Sequence, residues 1–294
     1  MEAAPGTAIL RGSIFVPPTA FVVAEHLGLF RSAGIDLGLA QTTSSTQQLD
    51  QLIDGAVDFV VTAMDNVIVW NQGSADTRII AQIERTTPLS LIAKPSITSF
   101  DGLAGATLSV DAFDNGFAVV LRHLVQTRSI QDVRYVETGG VHERYSALVD
   151  GSVDAALLGP PLSEQAEKRG LTQLGRIDQL VPGFPGQAIV VKGDRVEELK
   201  PLFALLLGAL RGAISWSDAV EEDTGASLLI AAGFGGDSAR SAWTNRARDL
   251  WPSLDGLELL LTMRRALDIL PDGVRVADLW TDELLTSHET HDVG

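Results

Sequence analysis

Two similar ten-residue segments occur in this chain, and this repeat constrains its fold more than any other feature. LIDGAVDFVV spans Leu52–Val61, and LVDGSVDAAL spans Leu148–Leu157, 96 residues later. In each copy, apolar residues at helical spacing lead to a glycine, and a run of apolar residues follows. Each copy is thus predicted to be a helix, a glycine stop and a buried strand.

The segments before each copy keep nearly the same offset. The apolar helix predicted over Thr19–Phe30 corresponds to Asn115–Gln126, and the strand predicted over Ile35–Ala40 corresponds to Val133–Thr138. Each half therefore has the pattern of a βαβαβ unit of about 50 residues. The predicted fold class is α/β, with two pseudo-symmetric lobes joined by hinge strands and a helical C-terminal third.

The predicted division places residues 1–92 and 192–294 in the first lobe and residues 93–191 in the second lobe. Apolar runs within residues 78–97 form one crossing between the lobes, and the predicted strand within residues 183–194 forms the other. After the second crossing, apolar residues at helical spacing predict helices that pack mainly against the first lobe.

Composition argues against several classes of partner and chemistry. The chain has 22 Lys+Arg against 38 Asp+Glu, a formal net charge of −16, so nucleic acid and anionic membranes would repel it. It has no cysteine, which excludes thiol catalysis, disulfides and thiolate metal sites. The longest apolar run, Leu202–Leu210, is too short to span a membrane, and the first residues have no signal-peptide pattern. We expect a soluble monomer, cytoplasmic as written and extracytoplasmic if a signal peptide has been removed.

Three motifs stand out along the chain: an apolar helix ending in Gly28-Leu29-Phe30, GIDL at residues 34–37, and SFDGLAGATLSV at Ser99–Val110. With these motifs the chain resembles the sulfonate-, nitrate- and taurine-type solute-binding proteins of ABC transporters, a superfamily that includes the thiamine-pyrimidine synthases. It implies a type II periplasmic-binding-protein fold, in which two lobes joined by hinge strands close on a ligand.

Ligands of open α/β sheets bind beyond the carboxyl ends of the strands, so the residues at those ends are the predicted ligand contacts. In the first lobe they are Phe15, Pro17, Thr19, Thr42, Thr43, Ser44, Met64, Asn66 and Arg85. In the second lobe they are Asp111, Phe113, Asn115, Gly139, Gly140, His142, Arg144, Gly159 and Pro160. The hydroxyl groups of residues 42–46 fit either an anion cradle or plain helix capping. Arg85 and Arg144 fit either counter-charges for an acidic ligand or ordinary ion pairs.

These features predict the substrate-binding component of an ABC importer, with a small organic ligand, anionic or aromatic, and a permease as partner. No metal or cofactor is expected. The alternative is a cytoplasmic enzyme on the same scaffold (a thiol-independent decarboxylase or lyase, or a desulfinase-like enzyme) or a ligand sensor. In an enzyme, His142 would be the acid–base residue, because it lies at a predicted strand end. The desulfinases and synthases of the superfamily use a cysteine that this chain lacks, so the prediction leans towards binding without catalysis.

Overall fold

The computed structural model describes residues 7–42, 44–73 and 75–286. Its strands are β1 (Ala8–Ile14), β2 (Ile35–Gln41), β3 (Phe59–Ala63), β4 (Thr77–Gln82), β5 (Ser90–Ala93), β6 (Thr107–Val110), β7 (Arg134–Glu137), β8 (Ala155–Leu158), β9 (Thr172–Arg176) and β10 (Gln187–Lys192). Its helices are α1 (Thr19–His26), α2 (Leu29–Ser32), α3 (Ser45–Ile53), α4 (Asp65–Gln72), α5 (Gly116–Thr127), α6 (Val141–Val149), α7 (Leu162–Lys168), α8 (Ile177–Leu180), α9 (Lys200–Ala219), α10 (Glu222–Ala231), α11 (Gly236–Thr244) and α12 (Leu254–Ala266).

The chain forms two compact units. Unit 1 comprises residues 1–85, 185–254 and 273–294, and unit 2 comprises residues 86–184 and 255–272. Unit 1 contains a sheet of strand order β2-β1-β3-β10-β4, and unit 2 contains a sheet of strand order β7-β6-β8-β5-β9. In each sheet the first three strands run parallel, and the fourth is antiparallel to its neighbours. The two units therefore repeat one topology.

The unit boundaries differ from the predicted ones because of how the two crossing strands pair. β5 was predicted in the first lobe, but Ser90 pairs with Leu158 of β8, in unit 2. β10 was predicted in the second lobe, but Gln187 pairs with Ala63 of β3, in unit 1. Each crossing strand joins the sheet that it leads into, so the boundaries fall at residues 85/86 and 184/185.

The second aspartate of the repeated segment makes equivalent hydrogen bonds in both units. Asp58 N–H donates to Arg11 O at 2.8 Å, and Arg11 N–H donates to Asp58 Oδ2 at 2.9 Å. Asp154 N–H donates to Thr107 O at 2.7 Å, and Thr107 N–H donates to Asp154 Oδ2 at 2.7 Å. Asp58 thus ties the start of β3 to β1, and Asp154 ties the start of β8 to β6. The pseudo-symmetry predicted from the repeat is confirmed.

The helix predicted over Thr19–Phe30 is interrupted. Gly28 has a φ of +68° and separates α1 from α2. Left-handed backbone at this position ends the first helix, as glycine often does after a helix C-terminus. The corresponding α5 in unit 2 runs without a break.

The core of unit 1 is built around aromatic side chains. The rings of Phe21 and Phe59 stack with their centroids 6.2 Å apart, and Phe203 of α9 is fully buried in the same cluster. Gly12 is needed beside this cluster, because a Cβ atom there would lie 2.3 Å from the Phe59 ring. By length and composition α9 could cross a membrane, but much of one face packs in this core, as in the core helix of a globular unit.

The helical C-terminal third is shared between the units. α9, α10 and α11 belong to unit 1, whereas most of α12 belongs to unit 2. Arg264 Nη2 donates to Asp114 O at 2.5 Å, and Gln126 Nε2 donates to Ala266 O at 3.0 Å. These bonds, one near each end of α5, tie α12 to unit 2.

Candidate functional site

In unit 2 a short loop, Asp111–Asn115, follows β6 and leads into α5. Asn115 caps α5, since its Oδ1 accepts from Ala118 N–H at 3.0 Å. Its Nδ2 donates to the carboxylate of Asp111. The cap and the aspartate hold each other, and together they fix both ends of the loop.

Phe113 lies at the centre of this loop and exposes 42% of its surface. Its N–H donates to Glu137 Oε1 at 2.7 Å, and its carbonyl accepts from Arg122 Nη1 at 3.0 Å. Burying large apolar side chains is the usual favourable outcome of folding. Here the backbone on both sides of the ring is tied down while the ring itself faces solvent.

Arg144 is buried, with 3% of its surface exposed, and uses its donors inside unit 2. Its Nε donates to Leu157 O at 3.2 Å and its Nη1 to Gly139 O at 3.1 Å. Nη1 also lies 3.5 Å from Asp111 Oδ1. Burial raises the pKa of Asp111, and the neighbouring Arg144 partly offsets that rise. The guanidinium therefore links the ends of β6 and β8 to the turn before α6.

The turn after β7 places two glycines before α6. Gly139 has a φ of +103°, and Gly140 precedes the first residue of α6 without a side-chain cap. The first N–H groups of α6 consequently lack a partner of the kind that Ser44 and Asn115 provide elsewhere. His142 is exposed, and its side chain makes no hydrogen bond to a residue that the structure describes.

Gly159 and Pro160 complete the strand ends of unit 2. They follow β8 directly, before α7, and both are partly buried. The structure thus brings all the predicted second-lobe residues to the loops and helix starts after three neighbouring parallel strands.

In unit 1 the predicted residues after β1 have different surroundings. Phe15 and Pro17 are partly buried. Thr19 is buried, and its Oγ1 donates to Ala242 O at 3.2 Å, which ties the start of α1 to α11. Thr19 therefore stabilises the packing of two helices.

The hydroxyl cluster after β2 acts as a helix cap. Ser44 Oγ accepts from Gln47 N–H at 3.3 Å and caps α3. Thr42 is buried, and its Oγ1 lies 2.7 Å from Gln47 Oε1. Of the two interpretations of this cluster, capping is the one that these contacts match. Thr43 lies outside the described residues.

The residues after β3 and β4 complete the list for unit 1. Met64 is 1% exposed, and Asn66 is buried with its Nδ2 donating to Thr62 Oγ1 at 2.7 Å. Arg85 is exposed, and its side chain makes no ion pair or hydrogen bond to any described residue. Its backbone N–H donates to Asn245 O at 3.1 Å, which fixes the position from which the guanidinium extends.

A partly buried polar contact joins the two crossings, and reasoning from the sequence did not identify it. Gln187 Nε2 donates to Glu84 Oε2 at 3.0 Å, and burial raises the pKa of Glu84 to about 7. Next to this contact, a Cβ atom on Gly186 would lie 2.4 Å from Glu84 O. The two crossings therefore touch at a point where a side chain on residue 186 does not fit.

A second residue that was missed is Gln48, which lies 96 residues before Arg144. Its Nε2 donates to Ser13 O and to Val61 O, both at 3.0 Å. Val61 and Leu157 are also 96 residues apart, so Gln48 Nε2 and Arg144 Nε make equivalent bonds in the two units. The offset of the repeat was a signal that could have identified Gln48.

Neither unit shows a metal centre in the part of the chain that the structure describes. No group of three or more His, Asp or Glu side chains is close enough there to hold a metal ion.

Comparison with known proteins gives the family. The sequence model of the family described as "NMT1/THI5 like" matches residues 18–221, more than half of the chain. The chain belongs to the NMT1/THI5-like family. No curated protein matches this family member.

Solved structures share the fold of this NMT1/THI5-like chain at low sequence identity. The periplasmic nitrate-binding protein NrtA from Synechocystis PCC 6803 is 12% identical, with a TM-score of 0.80 over 96% of this chain and 88% of that chain. The ligand-binding component of an ABC-type import system from Staphylococcus aureus, with zinc bound, is 13% identical, with a TM-score of 0.78 over 96% and 99%. The alkanesulfonate-binding protein SsuA from Xanthomonas axonopodis pv. citri, bound to MOPS, is 16% identical, with a TM-score of 0.75 over 94% and 99%. The predicted α/β fold of the periplasmic-binding-protein type is confirmed.

Proposed function

We propose that this chain is the substrate-binding component of an ABC-type importer and that its two lobes close on a small organic molecule, anionic or aromatic. The family and the fold support the proposal, because the similar structures named above include nitrate-, alkanesulfonate- and other ligand-binding proteins. The observation that carries the proposal is the exposed ring of Phe113 on a loop whose backbone is tied down on both sides.

An aromatic ring on a well-held loop suits ligand binding for an energetic reason. Glu137 and Arg122 hold the backbone of Phe113, so little backbone conformational entropy remains to be lost when a ligand packs against the ring. An aromatic face adds about 0.5–1.5 kcal/mol to a contact with another ring, beyond the area that is buried. A planar or ring-containing ligand gains most from this arrangement.

Two further features favour an anionic group on the ligand. α6 begins after Gly140 without a side-chain cap, so its first N–H groups and the positive end of the helix dipole are available to an acceptor. Arg85 extends from the crossing without an ion-pair partner among the described residues. A sulfonate, carboxylate or nitrate group could accept hydrogen bonds from either.

The partner and location follow from the proposed role. A substrate-binding component delivers its ligand to a permease, which we propose as the protein partner. An importer takes up its substrate from outside the membrane, so we propose an extracytoplasmic location.

The enzyme alternative lacks a specific observation in its favour. A general base needs a partner that orients it and tunes its pKa. The imidazole of His142 is exposed and has no hydrogen-bond partner in the described part of the chain. Asp111 and Arg144 pair with each other, and Arg144 also donates to Gly139 O, so these two side chains hold the loops together.

The test is calorimetric titration with a panel comprising nitrate, ethanesulfonate, benzenesulfonate, benzoate and benzamide. We expect saturable binding of one molecule per chain by at least one anion, with a rise in the melting temperature. Phe113→Ala should weaken an aromatic ligand by about tenfold. Val136→Ala is the matched control, because Val136 also exposes 42% of its surface but lies within β7. Binding of no panel member, or equal effects of the two substitutions, would count against the proposal.

A further inference from the structure

Unit 1 contains a pocket that lies away from the strand ends. Its volume is about 410 Å³, within the range of roughly 300–1,000 Å³ that is typical of small-molecule sites. It is lined by one face of α9, by the segment that follows α11, and by Leu285. None of the candidate ligand residues at the strand ends lines it.

Arg211 of α9 lies in the wall of this pocket with part of its guanidinium unsatisfied. Its Nη2 donates long hydrogen bonds to Leu284 O at 3.4 Å and Leu285 O at 3.3 Å. Its Nη1 is buried and has no hydrogen-bond partner among the described residues, and no acidic side chain there pairs with it. Burial lowers the pKa of Arg211, in keeping with an uncompensated charge. Buried donors in folded proteins nearly always have an acceptor, so this one requires an explanation.

The carboxylates of this pocket lie closer to other arginines or to a backbone donor than to Arg211. Asp218 Oδ1 pairs both with Arg246 Nη2, at 3.1 Å, and with Arg248 Nη1. One carboxylate thus serves two guanidinium groups. Asp249, also in the wall, is engaged as the acceptor of the Trp251 N–H at 2.8 Å. The lining thus holds two arginines and two aspartates, and neither aspartate forms an ion pair with Arg211 in the described part of the chain.

The rest of the wall is apolar. Ile214, Leu250 and Leu285 are buried beneath it, and the indole of Trp251 is 47% exposed at its edge. The Trp251 ring packs edge-on against Trp280, with centroids 6.2 Å apart, which fixes its position.

We propose that this pocket is a second ligand site, which binds a small organic acid with its anionic group at Arg211 and its apolar body against Trp251. An acceptor on such a ligand satisfies the unpaired Nη1 of Arg211 and supplies the counter-charge that this guanidinium lacks among the described residues. The apolar wall excludes water from the rest of the molecule, so a carboxylate with a compact ring or branched chain fits better than a bare inorganic ion. This inference does not depend on the proposed importer function.

The experiment is a titration of ¹⁵N-labelled full-length chain with benzoate, followed through the indole N–H resonances of its five tryptophans. Trp251→Phe assigns the resonance of the pocket. We expect that resonance to shift saturably with benzoate, whereas the isosteric neutral benzamide produces little shift. The same titration in Phe113→Ala separates this site from the strand-end site, because the Trp251 response should be unchanged there.

Two substitutions test the anion contact. Arg211→Gln should raise the dissociation constant for benzoate about tenfold or more, the usual cost of a lost charged hydrogen bond. Ser215→Glu places a carboxylate at the pocket from an exposed position on α9 and should have a similar effect without disturbing the core. Arg240→Gln, an exposed arginine elsewhere in unit 1, is the control and should change binding less than twofold.

The outcomes decide the proposal either way. If Arg211→Gln loses the contacts to Leu284 and Leu285 and fails to fold, Ser215→Glu alone carries the test. The proposal is overturned if benzamide shifts Trp251 as benzoate does, if the shift does not saturate, or if the folded variants bind benzoate like the unmodified chain.

Discussion

Replacing Arg144 tests whether this residue holds the strand ends of unit 2 together. In Arg144→Ala three contacts disappear: the bonds to Leu157 O and Gly139 O and the pairing with Asp111. Arg144 is 3% exposed, so water does not readily replace them. Removing one partner of a buried ion pair typically costs about 3–5 kcal/mol. We expect the free energy of unfolding to fall by that amount.

Arg144→Gln is a sharper test because the repeat supplies its precedent. The Nε2 of a glutamine occupies the same place in the side chain as the Nε of an arginine. In unit 1, Gln48 Nε2 makes the bond to Val61 O that Arg144 Nε makes to Leu157 O. The glutamine variant therefore keeps one contact and loses two, and should cost about 1.5–3 kcal/mol.

Urea denaturation followed by circular dichroism at pH 7 measures both losses. Arg265→Gln, an exposed arginine on α12, is the control and should change stability by less than about 0.5 kcal/mol. The cost of Arg144→Gln should shrink in acid, because burial raises the pKa of Asp111 and a protonated Asp111 no longer needs the cation. Equal costs for the alanine and glutamine variants, or a cost below 1 kcal/mol for alanine, would refute this reasoning.

Three further predictions concern the crossings and the repeat. Gly186→Ala should destabilise the chain in a urea titration, because its Cβ would lie 2.4 Å from Glu84 O, whereas Gly208→Ala has open space and should be neutral or stabilising. Burial raises the pKa of Glu84 from 4.5 to about 7, so ionisation of Glu84 lowers the free energy of unfolding as pH rises through that window. Between pH 5 and 8, the free energy of unfolding of Glu84→Gln should therefore fall less than that of the unmodified chain. Asp58→Ala and Asp154→Ala should each lower the melting temperature, because each removes a carboxylate that ties two strands together. A lower melting temperature in only one of these variants would contradict the equivalence of the repeats.

The architecture was predictable from the sequence because its repeat is local. Helix, glycine stop and buried strand all appear within ten residues, and the offset of 96 aligned them correctly across the units. The unit boundaries were not predictable in the same way. Whether β5 or β10 pairs with one sheet or the other depends on partners distant in sequence, such as Leu158 and Ala63. β9 was missed because its half-buried residues, Thr172–Arg176, do not alternate between apolar and polar.

At the strand ends the sequence predicted positions better than roles. Position follows from topology, whereas the role of a side chain depends on which neighbours it meets. Thr42 and Ser44 have the residue types of an anion cradle, but their hydroxyl groups hydrogen-bond to Gln47 of α3. Arg144 lies four residues before the buried Leu148, a spacing that places both on the inner face of α6 and could have indicated its burial.

The central claim is that the lobes close on a small molecule, and small-angle X-ray scattering with and without ligand tests it most directly. The ligand is whichever panel member binds most tightly in the calorimetric titration, added at saturating concentration. We predict that the radius of gyration falls when the ligand binds. The Phe113→Ala variant, measured at a ligand concentration too low to occupy most of its sites, should keep the larger radius of gyration. An unchanged radius of gyration at full calorimetric occupancy would contradict closure around the ligand.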